Sequence, residues 1–322
     1  MPGSTLSIAT PADFDLARDC CSYGYFLLAP NHWDVGTQSQ HRVLDLPGGA
    51  AAVRIDQPRR GPKSGSIRAR FDRMLERSEH SEARRQITRM LRLDETEADV
   101  KAFHKVDPRW KKRGQARLFR SPTLFEDVIK TVTSCNVAWP STIKMNERLC
   151  TVLGSKTASG VRGFPSARKI ARTRAGTLRA RCSVGYRDQR MVDLAKLFAT
   201  GKIDEPWLEA PETHDDDVFM FLLTLPGIGP YAAGNIMQLL GRYSRLALDT
   251  ESVRHGKSVL GYDGTDRQIL KQLAEHYEPF GEHRFKSYWF ELWEFYEGKR
   301  GPAHLWERET TGKTFTAAML ND

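Results

Sequence analysis

The sequence predicts an α+β chain, with a small antiparallel sheet first and a mainly helical region after it. Three observations carry this. Short apolar and aromatic runs, separated by turn residues, fill positions 11 to about 57. From Ile67 onward, apolar residues recur at helical spacing. The 322 residues are 40% hydrophobic and 28% charged, an ordinary globular balance with enough chain for roughly two domains. We therefore expect an N-terminal β domain over 1–66 and a helical region over 67–322.

The elements follow in order. Tyr23–Leu28 is aromatic and apolar and predicts a strand; Ala29-Pro30-Asn31-His32 predicts a turn. Trp33–Val35 and His41–Leu46 predict strands, Pro47-Gly48-Gly49 a turn, and Ala50–Ile55 another strand. Pro58–Ser66 is a polar, Pro/Gly-rich link. Phe71, Met74 and Leu75, then Ile87, Met90 and Leu91, fit a helical face. Leu93–His104 predicts a short helix, and Ser121 with Pro122 reads as N-cap and N1 of the next. Further helices are expected over 142–153, 166–172, 187–199, 215–225, 230–240, 251–259, 266–277 and 284–296.

Composition excludes several classes. No run of 18 apolar residues exists, so no membrane-spanning helix is expected. Met1–Thr10 lacks a basic start and a long apolar stretch, which argues against secretion and for the cytoplasm, with the nucleoid, or the nucleus. Five cysteines without metal spacing fit a reducing compartment, and no metal or cofactor is expected. The formal charge is +9. From Leu149 to Arg187 there is no Asp or Glu, yet the stretch holds Lys156, Arg162, Arg168, Lys169, Arg172, Arg174, Arg179, Arg181 and Arg187. Arg109, Lys111, Lys112, Arg113, Arg117 and Arg120 form a second basic run. Both suggest a polyanion, although a solvated basic face with no partner has the same composition.

The sharpest local signal is Leu225-Pro226-Gly227-Ile228-Gly229-Pro230-Tyr231-Ala232-Ala233-Gly234. Gly227 and Gly229 make a tight turn of bare backbone, Ile228 anchors it, and Pro230 starts a helix. The glycine N–H groups and that helix N-terminus suit a phosphate oxygen. Asp249 stands twenty residues after Gly229, behind an apolar run and at the start of a helix. Either half alone is weak evidence. Together, the hairpin over 215–240 and the aspartate segment over 246–256 resemble the helix–hairpin–helix DNA glycosylase superfamily.

The resemblance extends through Phe125–Asn136, which is similar to the asparagine-bearing loop of the 8-oxoguanine glycosylases, as is Glu147–Cys150. Ser183-Val184-Gly185-Tyr186-Arg187 resembles their wedge loop. Phe280–Trp289 with Leu292-Trp293 resembles the closing helix of the 3-methyladenine branch. The resemblance implies a two-lobed helical body with the cleft between the lobes. It implies double-stranded DNA with a damaged or modified base as partner, Asp249 as catalytic residue and a monomer. It also implies Gly227, Ile228 and Gly229 on the DNA backbone, Asn136 and Tyr186 in the space left by a flipped base, and Arg187 on the orphan base. Tyr231, Trp139 and Trp289 are the expected pocket aromatics. Bifunctional members carry a Schiff-base lysine where this chain has Tyr231, so hydrolysis without lyase chemistry is implied.

Alternatives stay open on the residues. Asp249 would also serve as a plain N-cap. Lys257 and Lys130 are the nearest candidates for a lyase amine outside the hairpin. The base is open between alkylated, oxidised and hypermodified, the last implying defence against phage. A non-catalytic DNA-binding hairpin protein is the rival from another class.

Overall fold

The computed structural model describes residues 3–58, 65–308 and 310–311. Five antiparallel strands form one sheet: β1 (Thr5–Ala9), β2 (His32–Asp34), β3 (Ser39–Leu46), β4 (Gly49–Asp56) and β5 (Ser66–Phe71), in the order β1-β5-β4-β3-β2. A short helix, α1 (Leu16–Cys20), lies between β1 and β2. The rest is helical: α2 (Arg77–Met90), α3 (Glu97–Val106), α4 (Leu124–Ser134), α5 (Trp139–Leu153), α6 (Ala167–Ala171), α7 (Ala175–Cys182) and α8 (Asp188–Ala199). Then come α9 (Glu205–Glu209), α10 (Asp215–Leu223), α11 (Pro230–Leu240), α12 (Thr250–Ser258), α13 (Asp266–Tyr277) and α14 (Arg284–Arg300).

The α+β expectation holds, with local corrections. Ile67–Phe71 is strand, not helix. Ile67, Ala69 and Phe71 are buried while Arg68 and Arg70 are less so, which is a period of two. The sheet thus runs five residues past the expected boundary at 66, and the helix waits for the capping box of Glu76 and Glu79. The predicted link has positions 59–64 outside the described residues. Tyr23–Leu28 is not a strand: Gly24–Leu27 is a 3-10 turn whose Tyr25, Phe26 and Leu27 are all buried. A continuous apolar run of that length has no period that separates strand from turn. Ser121 does not cap α4; Thr123 does, its Oγ1 accepting from the Glu126 N–H at 3.3 Å. Expected helix 142–153 starts earlier, at Trp139. β1 and α7 are not legible in the sequence; α7 buries only Leu178 and Cys182, too few for a period.

The helices divide into two lobes around separate cores. One core joins the sheet to α2, α13 and α14 through Leu44, Ile55, Ile67, Ile87, Ile269, Tyr288 and Trp293. The other joins α4, α5, α6, α7, α8, α10 and α11 through Val128, Leu149, Ile170, Leu178, Met191, Leu222 and Ile236. The first lobe therefore combines the two ends of the described chain around its middle. Buried ion pairs lock them: Arg42 on β3 meets Glu126 on α4 at 2.9 Å, and Arg89 on α2 meets Asp127 at 2.7 Å. Each is a desolvated charge with a partner, the condition under which burial is tolerated.

Candidate active site

The hairpin forms as its residue types require. Gly227 has φ +78°, a left-handed backbone that favours glycine. Gly229 is the extended N-cap of α11, its carbonyl accepting from the Ala233 N–H at 2.9 Å. Ile228 is buried in the second core, worth about 1.5–3 kcal/mol of apolar burial, and its N–H donates to the Leu225 carbonyl. The anchor faces in and the glycine backbone faces out. At its far end α11 is held by buried arginines: Arg92 donates to the Gln238 and Leu239 carbonyls and Arg120 to Leu239 at 2.9 Å. These carbonyls are the ones a helix C-terminus leaves unpaired.

Gly234 makes room for a neighbouring segment. A Cβ there would meet the Leu246 carbonyl oxygen at 2.7 Å, so the bare position admits the segment that leads into Asp249. Asp249 caps α12. Its Oδ1 accepts from the N–H groups of Glu251 (3.0 Å) and Ser252 (3.1 Å), and Ser252 Oγ accepts from the Asp249 N–H. Ser252 is held in turn by the Tyr288 hydroxyl at 2.7 Å. The cap reading is therefore correct, and it orients the side chain for other use, because Oδ2 takes no part in the cap. Burial raises the Asp249 pKa, opposed by the Ser252 and Glu251 donors and by the Tyr231 hydroxyl.

Tyr23, Tyr231 and Tyr288, whose hydroxyl pKa values burial raises, lie near enough to this carboxyl for its charge to push those values up further. Tyr231 and Trp289 pack on the same third core, built on Phe103, Trp110, Tyr243, Phe285 and Phe290. Trp289 is fixed by a bond from its Nε1 to the Ser22 carbonyl (2.9 Å) and by stacking on Phe285 and Trp293. Tyr23 lies 4.5 Å from Trp289, ring centre to ring centre, and donates to Asn235 of α11. Sequence reasoning misses Tyr23 and Cys135. Burial pushes the Cys135 thiol up to about 11, the Arg187 cation opposes this and the Asp249 carboxylate adds to it. Trp139 is half-buried and touches the first core beside Gly24, which links it to the Tyr23 turn. No spacing in the sequence connects positions 23 and 249; only the fold does.

Asn136 stands exposed between α4 and α5 with φ +50°, a left-handed conformation that asparagine tolerates. Tyr186 is 52% exposed, unusual for so large an aromatic, while its neighbour Val184 is fully buried and anchors the loop. Arg187 differs from expectation. It is buried, and its guanidinium donates to the carbonyls of Val132, Cys135 and Asn136. In this structure it supports the asparagine loop, and its donors are not presented to an orphan base.

The two basic runs also part company. Arg168, Lys169, Arg172, Arg174 and Arg181 are exposed and have no carboxylate partner among the described residues; Arg179 pairs with Asp188. In the other run Arg109 pairs with Asp107 and Glu291, Arg113 with Glu294, Arg117 with Asp13 and Arg120 with Asp94. The sequence suggests phosphate binding for that run. Its four arginines are neutralised instead, Arg117 and Arg120 inside the protein, and only Lys111 and Lys112 stand exposed without a carboxylate partner among the described residues. Neither candidate lyase lysine is free. Lys257 pairs with Asp266, and Lys130 is wholly buried against Glu126.

No family model and no curated protein matches the chain. Solved structures do. The 3-methyladenine DNA glycosylase of Archaeoglobus fulgidus matches with a TM-score of 0.67 at 19% identity, over 90% of this chain and 98% of that one. The 8-oxoguanine glycosylase/lyase of Clostridium acetobutylicum, apo, matches with a TM-score of 0.64 at 16% identity, over 89% and 96%. Its complex with double-stranded DNA containing cytosine opposite 8-oxoguanine matches with 0.64 at 17%, over 89% and 93%. From sheet to closing helix, this chain has the fold of these helix–hairpin–helix DNA glycosylases.

Proposed function

We propose that the protein is a DNA glycosylase that flips a damaged or modified base from double-stranded DNA and hydrolyses its N-glycosidic bond without a lyase step. The observation that carries this is Asp249: a half-buried carboxyl, held by its own helix cap among aromatic rings, with no cation paired to it among the described residues. As the bond from C1′ to the base breaks, positive charge builds on the sugar, and a fixed carboxylate stabilises it. Water then supplies hydroxide to C1′ and a proton to the departing base, leaving an abasic site. The glycine turn holds the DNA backbone, Tyr186 and Asn136 fill the gap, and the pocket rings of Tyr231, Trp289 and Trp139 stack on the base. Tyr231 is a phenol and forms no Schiff base.

The test is mass spectrometry of bases released from duplexes carrying alkylated, oxidised or phage-modified bases. Asp249→Asn should lower release by about 10²–10³-fold or more while duplex binding stays within a few-fold. Retained release would sink the mechanism, and a covalent adduct trapped by borohydride with wild type would overturn the hydrolytic assignment.

A further inference from the structure

The side chain of Arg190 joins two of the elements placed on DNA above. It projects from α8, and its stem lies across the hairpin: a Cβ built on Gly227 would stand 2.6 Å from Arg190 Cδ and 3.2 Å from Cγ. Its guanidinium carbon lies 5.3 Å from the centre of the Tyr186 ring, which also receives Arg187 at 4.6 Å. Tyr186 is thus faced by two cations, one buried and one exposed. The acids of α8 are engaged elsewhere: Asp188 with Arg179, and Asp193 with Gln189 and Lys196. Arg190 is exposed, and no carboxylate or carbonyl among the described residues takes its donors. Its stem rests on a glycine and its head faces an aromatic ring, contacts that restrict where its charge can stand.

We propose that Arg190 is a positioning residue that couples the hairpin's hold on the DNA backbone to insertion of Tyr186, its guanidinium taking a backbone phosphate beside the Gly227 turn. The proposal rests on the reading of the protein as a DNA glycosylase. A phosphate here engages a planar head whose stem touches the hairpin and whose face touches the wedge ring, so it orders both at once. It also gives Gly227 a second reason to be bare, since any side chain would displace the Arg190 stem.

Two substitutions separate charge from coupling. Arg190→Met keeps a stem over Gly227 and removes the charge; Arg190→Lys keeps the charge and removes the planar head. Affinity for a duplex with a tetrahydrofuran abasic site is measured across salt concentrations. Insertion is followed by fluorescence of 2-aminopurine opposite that site, with Tyr186→Ala as the reference for failed insertion. Arg190→Met should flatten the salt slope by about 0.9 and lose most of the insertion signal. Arg190→Lys should keep the wild-type slope and still lose insertion. Wild-type insertion in either variant overturns the coupling, and an unchanged slope in Arg190→Met overturns the phosphate contact. If wild type itself neither binds the duplex nor inserts, the glycosylase reading falls with it; if wild type does both, failure concerns Arg190 alone. Circular dichroism melts confirm that both variants are folded.

Discussion

Two arginine-rich stretches of this chain look alike in composition and do opposite things. In the segment from 109 to 120 the four arginines meet carboxylates, and Arg117 and Arg120 are inside the protein. In the segment from 149 to 187 most cations stand in solvent, because the stretch has no acid of its own and only Arg179 reaches one elsewhere among the described residues. A basic run therefore predicts a polyanion only when its charges lack acids in the fold. Asp249 is the converse case within the same molecule. Arg117 and Arg120 have carboxylates, but the half-buried Asp249 carboxyl has only N–H and O–H donors, and under the proposed mechanism its charge faces the cation that forms on the sugar.

The contrast breaks first at Arg117. Arg117→Ala removes an ion pair at 2.6 Å and strips donors from the Arg92 and Glu95 carbonyls. It should cost about 3 kcal/mol in chemical denaturation, since buried acceptors are left unpaired. An unchanged unfolding midpoint would show that the inner run is dispensable. The outer run should respond in DNA binding, not in stability. Changing Arg168, Arg172 and Arg174 together to Ser should flatten the dependence of DNA affinity on salt. The change should reach about 0.9 for each phosphate no longer neutralised, with stability moving by no more than about 0.5 kcal/mol. A wild-type salt slope in that variant would remove this face from the interface.

The smaller effects concern Asp249. Its carboxyl titrates higher folded than its ordinary 3.8, so the folded state holds the proton more tightly than the unfolded chain does. The ionised form therefore costs stability, a cost absent below 3.8 and complete above the folded value. Asp249→Asn removes that cost and keeps an oxygen for the cap. At neutral pH it should melt no lower than wild type while losing base release, and a lower melting point would contradict the assigned shift. Smallest is Tyr231→Phe. The wild-type hydroxyl lowers the Asp249 pKa, so without it the acidic limb of the single-turnover rate should move to higher pH. A limb that stays in place would show that this hydroxyl does not act on Asp249.

What the sequence makes legible is local. The hairpin, the capping aspartate and most long helices follow from residue types at fixed offsets, and they stand where those offsets put them. The remaining pieces depend on distant partners. Tyr23 becomes a neighbour of Trp289 only because the first turn packs against the last long helix, and nothing around Tyr23 carries that information. Arg187 follows Tyr186 in sequence, but the side chain turns inward because three carbonyls at the end of α4 and the loop after it lie within its reach. Ser66–Phe71 is strand because β1 and β4 flank it; its short alternation is masked by the helical spacing of Phe71, Met74 and Leu75. Paired arginines and unpaired ones share a composition until the acids that meet them are located.

The bond from Tyr23 to Asn235 has a consequence for how the protein comes into being. It ties a turn made early in synthesis to the second helix of the hairpin, made more than two hundred positions later. Trp289, which rests on the same tyrosine, is made later still. On the ribosome, the hairpin and the wedge loop emerge before the last aromatic wall exists. A chain arrested before α14 lacks Tyr288, Trp289 and Trp293, so the lobe that holds the sheet and the aromatic wall beside Tyr23 are both completed only by the last long helix.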